Sequence, residues 1–408
     1  MTTKTKKITT ISNAQPSALS YQEQITVTRL KKIQNFLHSL PPSCTDFVRS
    51  ISMITSPLTR LAYVIDLNVF FGYLLGEISL FSDAHESAVS LVDEDINQIS
   101  VHHLQGFIEY LTFYFKTTAT VTDATEVQQK VFRNHESGVM RKLSTLRSYF
   151  EFLYREQRIS GNVATLVSLP KLHEKPILHL QPNEVEKLLR FTQSGESLSP
   201  TQKKYHQLTV KRDFAILMMF LGTGMRVSEC VGLNIEDIDH DAMGVLVTRK
   251  GGNQVVLYFP KEVNDALQDY ITNRKQAIPK AGHENALFLS LQNKRISQRA
   301  VQIMVKKYSL FAAPLKKKMS PHKLRSTYAT QLYHETEDIY LVADALGHSD
   351  VNTTRKHYAA ISEKRRKEAA QNVHLPNVKG NASTPLKKVL EADIEAQLIS
   401  AIQKEDGE

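Results

Sequence analysis

The chain has 408 residues, enough for two domains and short of three. With 41% hydrophobic, 8% aromatic and 23% charged residues it has a globular composition, and 16 Gly with 14 Pro exclude a collagen-like or proline-rich polymer. Lys and Arg number 51 against 42 Asp and Glu, a formal charge of +9 that points to a polyanionic partner. Cys44 and Cys230 stand far apart, without CxxC or Cys/His ligand spacing. Neither a disulfide framework nor a bound metal is expected, and a reducing, cytoplasmic setting fits. No apolar run reaches the roughly 18 residues needed to span a bilayer, and no apolar stretch follows the lysines of MTTKTKKITT, so the reading expects no membrane span and no secretory signal.

Residues 1–24 are rich in Ser, Thr, Gln and Asn and read as a disordered arm. From 25 to 166 the pattern is helical throughout. Ser56-Pro57 opens a long helix, with Ser as N-cap and Pro at the first helical position; Leu61, Val64, Ile65, Val69, Phe70, Tyr73 and Leu74 form its apolar stripe. Ser100 caps a second helix through Tyr114, and the Thr-rich stretch 117–126 reads as a loop. A third helix carries Val139, Leu143, Leu146, Tyr149, Phe150 and Leu153 on one face, with Arg141, Lys142 and Arg147 on the other.

Residues 167–181 hold Pro170 and Pro176, with Pro182 directly after, and read as a linker. A second domain, 182–375, then begins with a helix at Pro182. A helix over 207–222 is apolar nearly all round and so is central. Residues 244–248 and 255–259 flank Lys250-Gly251-Gly252-Asn253 and read as a β-hairpin. Helices follow at 261–277, 297–311, 321–335, 338–346 and 362–373. In the tail, 376–408, Leu386, Leu390, Ile394, Leu398 and Ile402 recur at i+4 and make one amphipathic helix of mostly acidic charge, suited to docking on an adjacent protomer or folding back on its own domain. The fold class is thus mainly α with a small β-sheet: a helical N-terminal domain plus a mixed α/β C-terminal domain.

Several residues stand out for chemistry. Gly222-Thr223-Gly224-Met225-Arg226 is a Gly-rich bend delivering an Arg to the next helix, too short for a dinucleotide fingerprint. His322 and Arg325 are three apart on one helix face. Leu346-Gly347-His348 precedes Tyr358 by ten residues. Taken singly these read as a turn, a solvated helix start, a helix cap and a core tyrosine. Taken together, the order Arg, Lys, His-x-x-Arg, Gly-His, Tyr resembles the tyrosine recombinase, or phage integrase, family. The resemblance rests on TGMRVSE at 223–229, RKGGN at 249–253, HKLR at 322–325, LGHS at 346–349 and Tyr358, and it covers roughly 180–375.

The resemblance implies catalytic roles for Arg226, Lys250, His322, Arg325, His348 and Tyr358, with Glu229 as the accessory acid. Arg226 and Arg325 would offer forked donors to the non-bridging oxygens of a pentacoordinate phosphorus, where charge develops. Tyr358 would be the nucleophile; its ordinary pKa near 10 calls for a base, His322, or a cationic field. Lys250 would protonate the departing 5′-oxygen, and His348 would hydrogen-bond the phosphate. The interval from His348 to Tyr358 is commonly nine residues in the family, so Tyr328, Tyr333 and Tyr340 stand as rivals, the first two expected to pack inward. No cofactor is implied. The implied partner is a double-stranded DNA recombination site, held by a homotetramer, with no membrane and no small-molecule substrate. The helical domain would be the family's core-binding domain, with Arg141, Lys142 and Arg147 as its DNA face; Lys316, Lys317 and Lys318 could meet phosphates beside the site. The short arm favours the simple Xer-type enzymes that resolve chromosome dimers. The alternatives are an integrase or excisionase of a phage or mobile element and, outside the class, a type IB topoisomerase.

Overall fold

The computed structural model describes residues 20–117, 129–170, 178–196, 198–249, 252–316, 318–347 and 351, with 115–117 and 129–132 described as backbone. The chain divides into two units, Met1–Gln331 and Leu332–Glu408. The first unit begins with α1 (Tyr21–Leu37), α2 (Pro42–Ser50), α3 (Pro57–Glu77), α4 (Ser79–Ser82), α5 (Asp93–Asn97) and α6 (Val101–Thr112). A two-stranded antiparallel ribbon follows, β1 (Tyr114–Thr117) with β2 (Gln129–Phe132), and then α7 (Glu136–Arg155).

The caps are those the sequence predicts. Ser56 accepts from the Thr59 amide at 3.2 Å with Pro57 at the first helical position, and Ser100 accepts from the His103 amide at 3.4 Å. Such caps are each worth about 1 kcal/mol. The stripes of α3, α6 and α7 meet in one apolar cluster running from Ile33 to Val167. At its centre Phe70 lies 5.1 Å from Phe107 and 6.4 Å from Phe150, ring to ring, and Tyr149 stands edge-on to Phe71.

Three sequence expectations need correction here. Among the described residues α3 is long and apolar enough to cross a membrane by length and composition, with a mean hydropathy of 1.3, whereas the sequence reading found no such run. Its apolar side chains serve the cluster: Val64, Leu67, Phe70, Phe71 and Leu74 are buried in it. Second, the Thr-rich segment is not all loop. Thr117 ends β1, and the ribbon interrupts a region expected to be helical throughout. Its strands hold Tyr114, Phe115, Thr117, Val131 and Phe132, aromatic and β-branched residues that favour strands, with Tyr114 opposite Phe132 and Phe115 opposite Val131. Third, Lys142 is buried at 6% exposure, bonding Asn134 Oδ1 at 2.9 Å, so it does not share an exposed face with Arg141.

The rest of the first unit comprises α8 (Pro182–Ser194), α9 (Pro200–Thr223), α10 (Val227–Gly232), β3 (Ile238–Asp239), β4 (Gly244–Thr248), β5 (Gln254–Tyr258), α11 (Lys261–Gln276), α12 (Gln298–Ala312) and the start of α13 (Pro321–Thr336). Its own apolar cluster runs from Leu180 to Leu324. The all-round apolar part of α9 is central, as expected: Ala215, Ile216, Leu217, Met219 and Phe220 have no solvent exposure. The predicted hairpin forms with Thr248 opposite Gln254, and β3 adds a third antiparallel strand through Ile238 opposite Val245. That strand is two residues long, too short to leave an alternating pattern. In the second unit α14 (Ile339–Leu346) is capped by Asp338, which accepts from the Tyr340 and Leu341 amides. It ends at Gly347 in the left-handed region, φ 59°, as Leu-Gly-His predicts. The arm was expected to run to residue 24, but Ser20 caps α1 and residues 21–24 are its first turn; residues 1–19, the helix at 362–373 and the tail helix lie outside the described residues.

Candidate active site

The site is built where α9 ends. Thr223 turns its hydroxyl back to the Met219 carbonyl at 2.6 Å, and Gly224 takes a left-handed conformation, φ 62°, ψ 18°. A β-carbon there would be strained by φ and would also strike the Tyr328 ring. Buried Met225 anchors the turn in the core, and Arg226 becomes the N-cap of α10.

Glu229, three residues on, reaches back to Arg226 twice. Its carboxylate accepts the Arg226 backbone N–H at 2.7 Å and a guanidinium N–H at 2.9 Å. The Glu229 side chain is 4% exposed and that of Arg226 36%, so a buried acid steadies a cation that still meets solvent. This is the acidic half of a capping box, the carboxylate at the third helical position accepting the N-cap amide, with an ion pair to the arginine in place of the other half.

Helix α13 supplies the second arginine. The Ser320 carbonyl accepts the Lys323 and Leu324 amides and starts the helix. His322 is exposed in the first turn, and Arg325, one turn on, is buried at 5% exposure. Arg325 donates to the Gly224 carbonyl at 2.6 Å, so the second arginine is bonded to the turn that carries the first. Burial lowers the Arg325 guanidinium to about 10; the positive charges of Arg226 and Arg249 push the same way, against Glu229 and Tyr328. Arg249 closes the β4–β5 turn, donating its amide to the Asn253 carbonyl at 2.8 Å. Arg226, Arg249, Glu229, Arg325 and Tyr328 therefore share one electrostatic neighbourhood. Three guanidinium groups around one carboxylate leave an excess of positive charge, the field a phosphodiester requires as it becomes pentacoordinate.

Lys250, His348 and Tyr358 lie outside the described residues, as does Lys317. Among the rival tyrosines Tyr328 is half-buried, Tyr333 is buried and Tyr340 is 71% exposed. Lys316 bonds the His179 carbonyl at 2.7 Å and pairs with Glu184; Lys318 is exposed. Burial acts to raise the Glu184 carboxyl, but the Lys316 hydrogen bond and the Gln181 amide outweigh it and hold it below the ordinary value. On α7, Arg141 pairs with buried Asp66, and Arg147 donates to the Ala164 and Val167 carbonyls at 3.0 and 2.7 Å. Sequence reasoning missed the contact of Tyr328 with Gly224. The signal was present: Tyr328 follows Arg325 by three residues, the spacing of a shared helix face.

Comparisons with known proteins agree with this architecture. Residues 179–365 match the model of the phage integrase family. A tyrosine recombinase XerC of Caldanaerobacter subterraneus subsp. tengcongensis is 33% identical over 350 residues, covering 83% of this chain and 89% of that one. A second XerC, from Thermodesulfovibrio yellowstonii, is 36% identical over 223 residues, or 54% of this chain and 70% of that one. The solved XerH site-specific recombinase on its palindromic difH substrate shares the fold: TM-score 0.56, 20% identity, 85% of this chain and 88% of that one. The chain belongs to the tyrosine recombinase family and is an enzyme of site-specific recombination.

Proposed function

We propose that the chain exchanges DNA strands at a specific duplex site through a 3′-phosphotyrosine and a Holliday junction. The observation that carries this reading is the cationic cluster of Arg226, Arg249 and Arg325 around Glu229. The Tyr358 hydroxyl attacks phosphorus, His322 takes its proton, and Arg226, Arg325 and His348 stabilise the non-bridging oxygens. The bond to the 5′-oxygen breaks, and that oxygen takes a proton from Lys250. The phosphodiester energy is kept in the tyrosyl ester, so attack by a partner strand's 5′-hydroxyl rejoins DNA without cofactor or metal. Residues 25–166 act as the core-binding domain, 167–181 as linker and 182–375 as the catalytic domain. A homotetramer synapses two sites in the cytoplasm. The XerC names of the relatives favour chromosome dimer resolution as the role.

The test is capture. The chain is incubated with sheared, nicked genomic DNA from its own source, denatured, and any covalently held fragment is sequenced. Wild type should retain one recurrent sequence and Tyr358→Phe none. A site opposite the replication origin supports dimer resolution; the end of a mobile element supports an integrase. Relaxation of supercoils without recombinant product would indicate a topoisomerase. Adducts formed equally by Tyr358→Phe would remove Tyr358 from the nucleophile role.

A further inference from the structure

Arg325 and Tyr328 are three residues apart on α13 and reach the same residue of the opposing turn. The Arg325 guanidinium donates to the Gly224 carbonyl at 2.6 Å, and the Tyr328 ring fills the space a β-carbon on Gly224 would need. Gly224 stands two residues before Arg226, joined to it through Met225, which is fully buried. The turn is therefore held from three directions: a hydrogen bond to its carbonyl, a ring against its α-carbon, and a side chain sunk in the core. Each grip is short and stiff, so a shift of the ring moves the backbone from which Arg226 springs.

We propose that Tyr328 is a positioning residue: its ring, pressed on Gly224, sets the separation of the two guanidinium groups that clasp the scissile phosphate. The inference rests on the phosphate-clasping role given above to Arg226 and Arg325. The aromatic ring carries the function and the hydroxyl does not. Tyr328 is half-buried, and burial raises its hydroxyl pKa against the lowering effect of Arg325, which makes it a poor nucleophile. Gly224 has two reasons to be glycine. Its positive φ costs any other residue about 1 kcal/mol, and the ring leaves no room for a methyl group. A guanidinium displaced by about 1 Å weakens charge stabilisation in the transition state far more than it weakens the ground-state grip on DNA.

The experiment measures covalent adduct formation on the captured site, as a nicked duplex, together with DNA affinity and melting temperature. Tyr328→Phe keeps the ring and should form adduct within about threefold of wild type. Tyr328→Ala should slow adduct formation by about 10–100-fold at saturating DNA, with affinity and melting temperature nearly unchanged. Adding Arg226→Lys to Tyr328→Ala should then lower the rate by less than Arg226→Lys does alone, because the arginine is already misplaced. Gly224→Ala provides a second route: its defect should lessen when combined with Tyr328→Ala, since the clash is removed and only the backbone strain remains. The inference is overturned if Tyr328→Ala matches wild type, if its loss only follows a fall in melting temperature, or if Tyr328→Phe abolishes the adduct. Tyr358→Phe run alongside separates the two questions: adduct unaffected by that change sinks the proposed reaction, whatever Tyr328 does.

Discussion

The helical region around α3 and α7 and the turn between α9 and α10 treat buried charge in opposite ways. In the first, the three cations of the expected DNA face on α7 each meet a partner. Arg141 pairs with Asp66, itself 1% exposed and also bonded by Thr145 at 2.9 Å; Lys142 holds Asn134; Arg147 holds two carbonyls. In the second, Arg325 is buried where Arg226 and Arg249 repel it and one carboxylate, Glu229, opposes them. Matched charge fastens a fold. Like charge held together costs stability and is kept where a ligand of opposite sign completes it.

That contrast predicts different consequences for the same kind of substitution. Arg226→Lys keeps the charge but loses the fork, so strand cleavage should fall by about 10²–10³-fold while duplex binding changes little. Single-turnover cleavage of the nicked site would measure this, and a loss under tenfold would mean that Arg226 contributes charge alone. Arg141→Ala should leave catalytic chemistry intact and destabilise the fold by about 2 kcal/mol, less than for a wholly buried pair because Arg141 is half-exposed. Urea unfolding reads that figure. The deficit should also grow with pH. Burial holds the folded Asp66 carboxyl above its unfolded value, despite Arg141, so the folded chain binds the proton more tightly. The stability linked to this group is full below the ordinary carboxylate range and is lost as pH rises through the raised value. Without Arg141 that window should extend upward. A deficit independent of pH would show that Asp66 is not the group left exposed to the change.

The smallest effect concerns Glu229. Arg325 is lowered to about 10 although Glu229 favours its charged form. The second-order rate of cleavage, which reports the free enzyme, should therefore decline above pH 10 as Arg325 loses its proton. Glu229→Gln removes the opposing carboxylate, so the alkaline limb should move to lower pH while the rate near neutrality falls modestly. A limb that does not move would separate Glu229 from Arg325.

Much of this was legible in the sequence because local chemistry and fold agree. Ser56-Pro57 and Ser100 announce helix starts, Gly224 and Gly347 mark left-handed ends, and the 3.6-residue stripe of α7 names its own buried face. What was not legible depends on partners distant in sequence. Nothing near Asp66 says that Arg141, 75 residues away, will neutralise it, so α7 read as a helix with a basic outer face. The strands of the β1–β2 ribbon are four residues each, too short to leave an alternating pattern of their own. The two-residue β3 is defined by its pairing alone. Arg226 with Glu229, and His322 with Arg325, stood out because each pair is three residues apart, and the family resemblance joined the two pairs; the spacing of Tyr328 from Arg325 put them on one helix face, but only the fold sets that ring behind Gly224, 104 residues away.

The account rests most heavily on Arg325 being held for a phosphate and not for the fold. Arg325→Met replaces the buried cation with an apolar chain of similar length, and both melting temperature and cleavage of the nicked site can be followed in one preparation. The account predicts a melting temperature close to wild type, because the repulsion from Arg226 that is removed offsets the lost hydrogen bond to the Gly224 carbonyl, together with a cleavage loss of about 10³-fold or more. A melting temperature that falls by several degrees, or cleavage that survives, would make Arg325 a structural cation of the same kind as Arg141 and would contradict it.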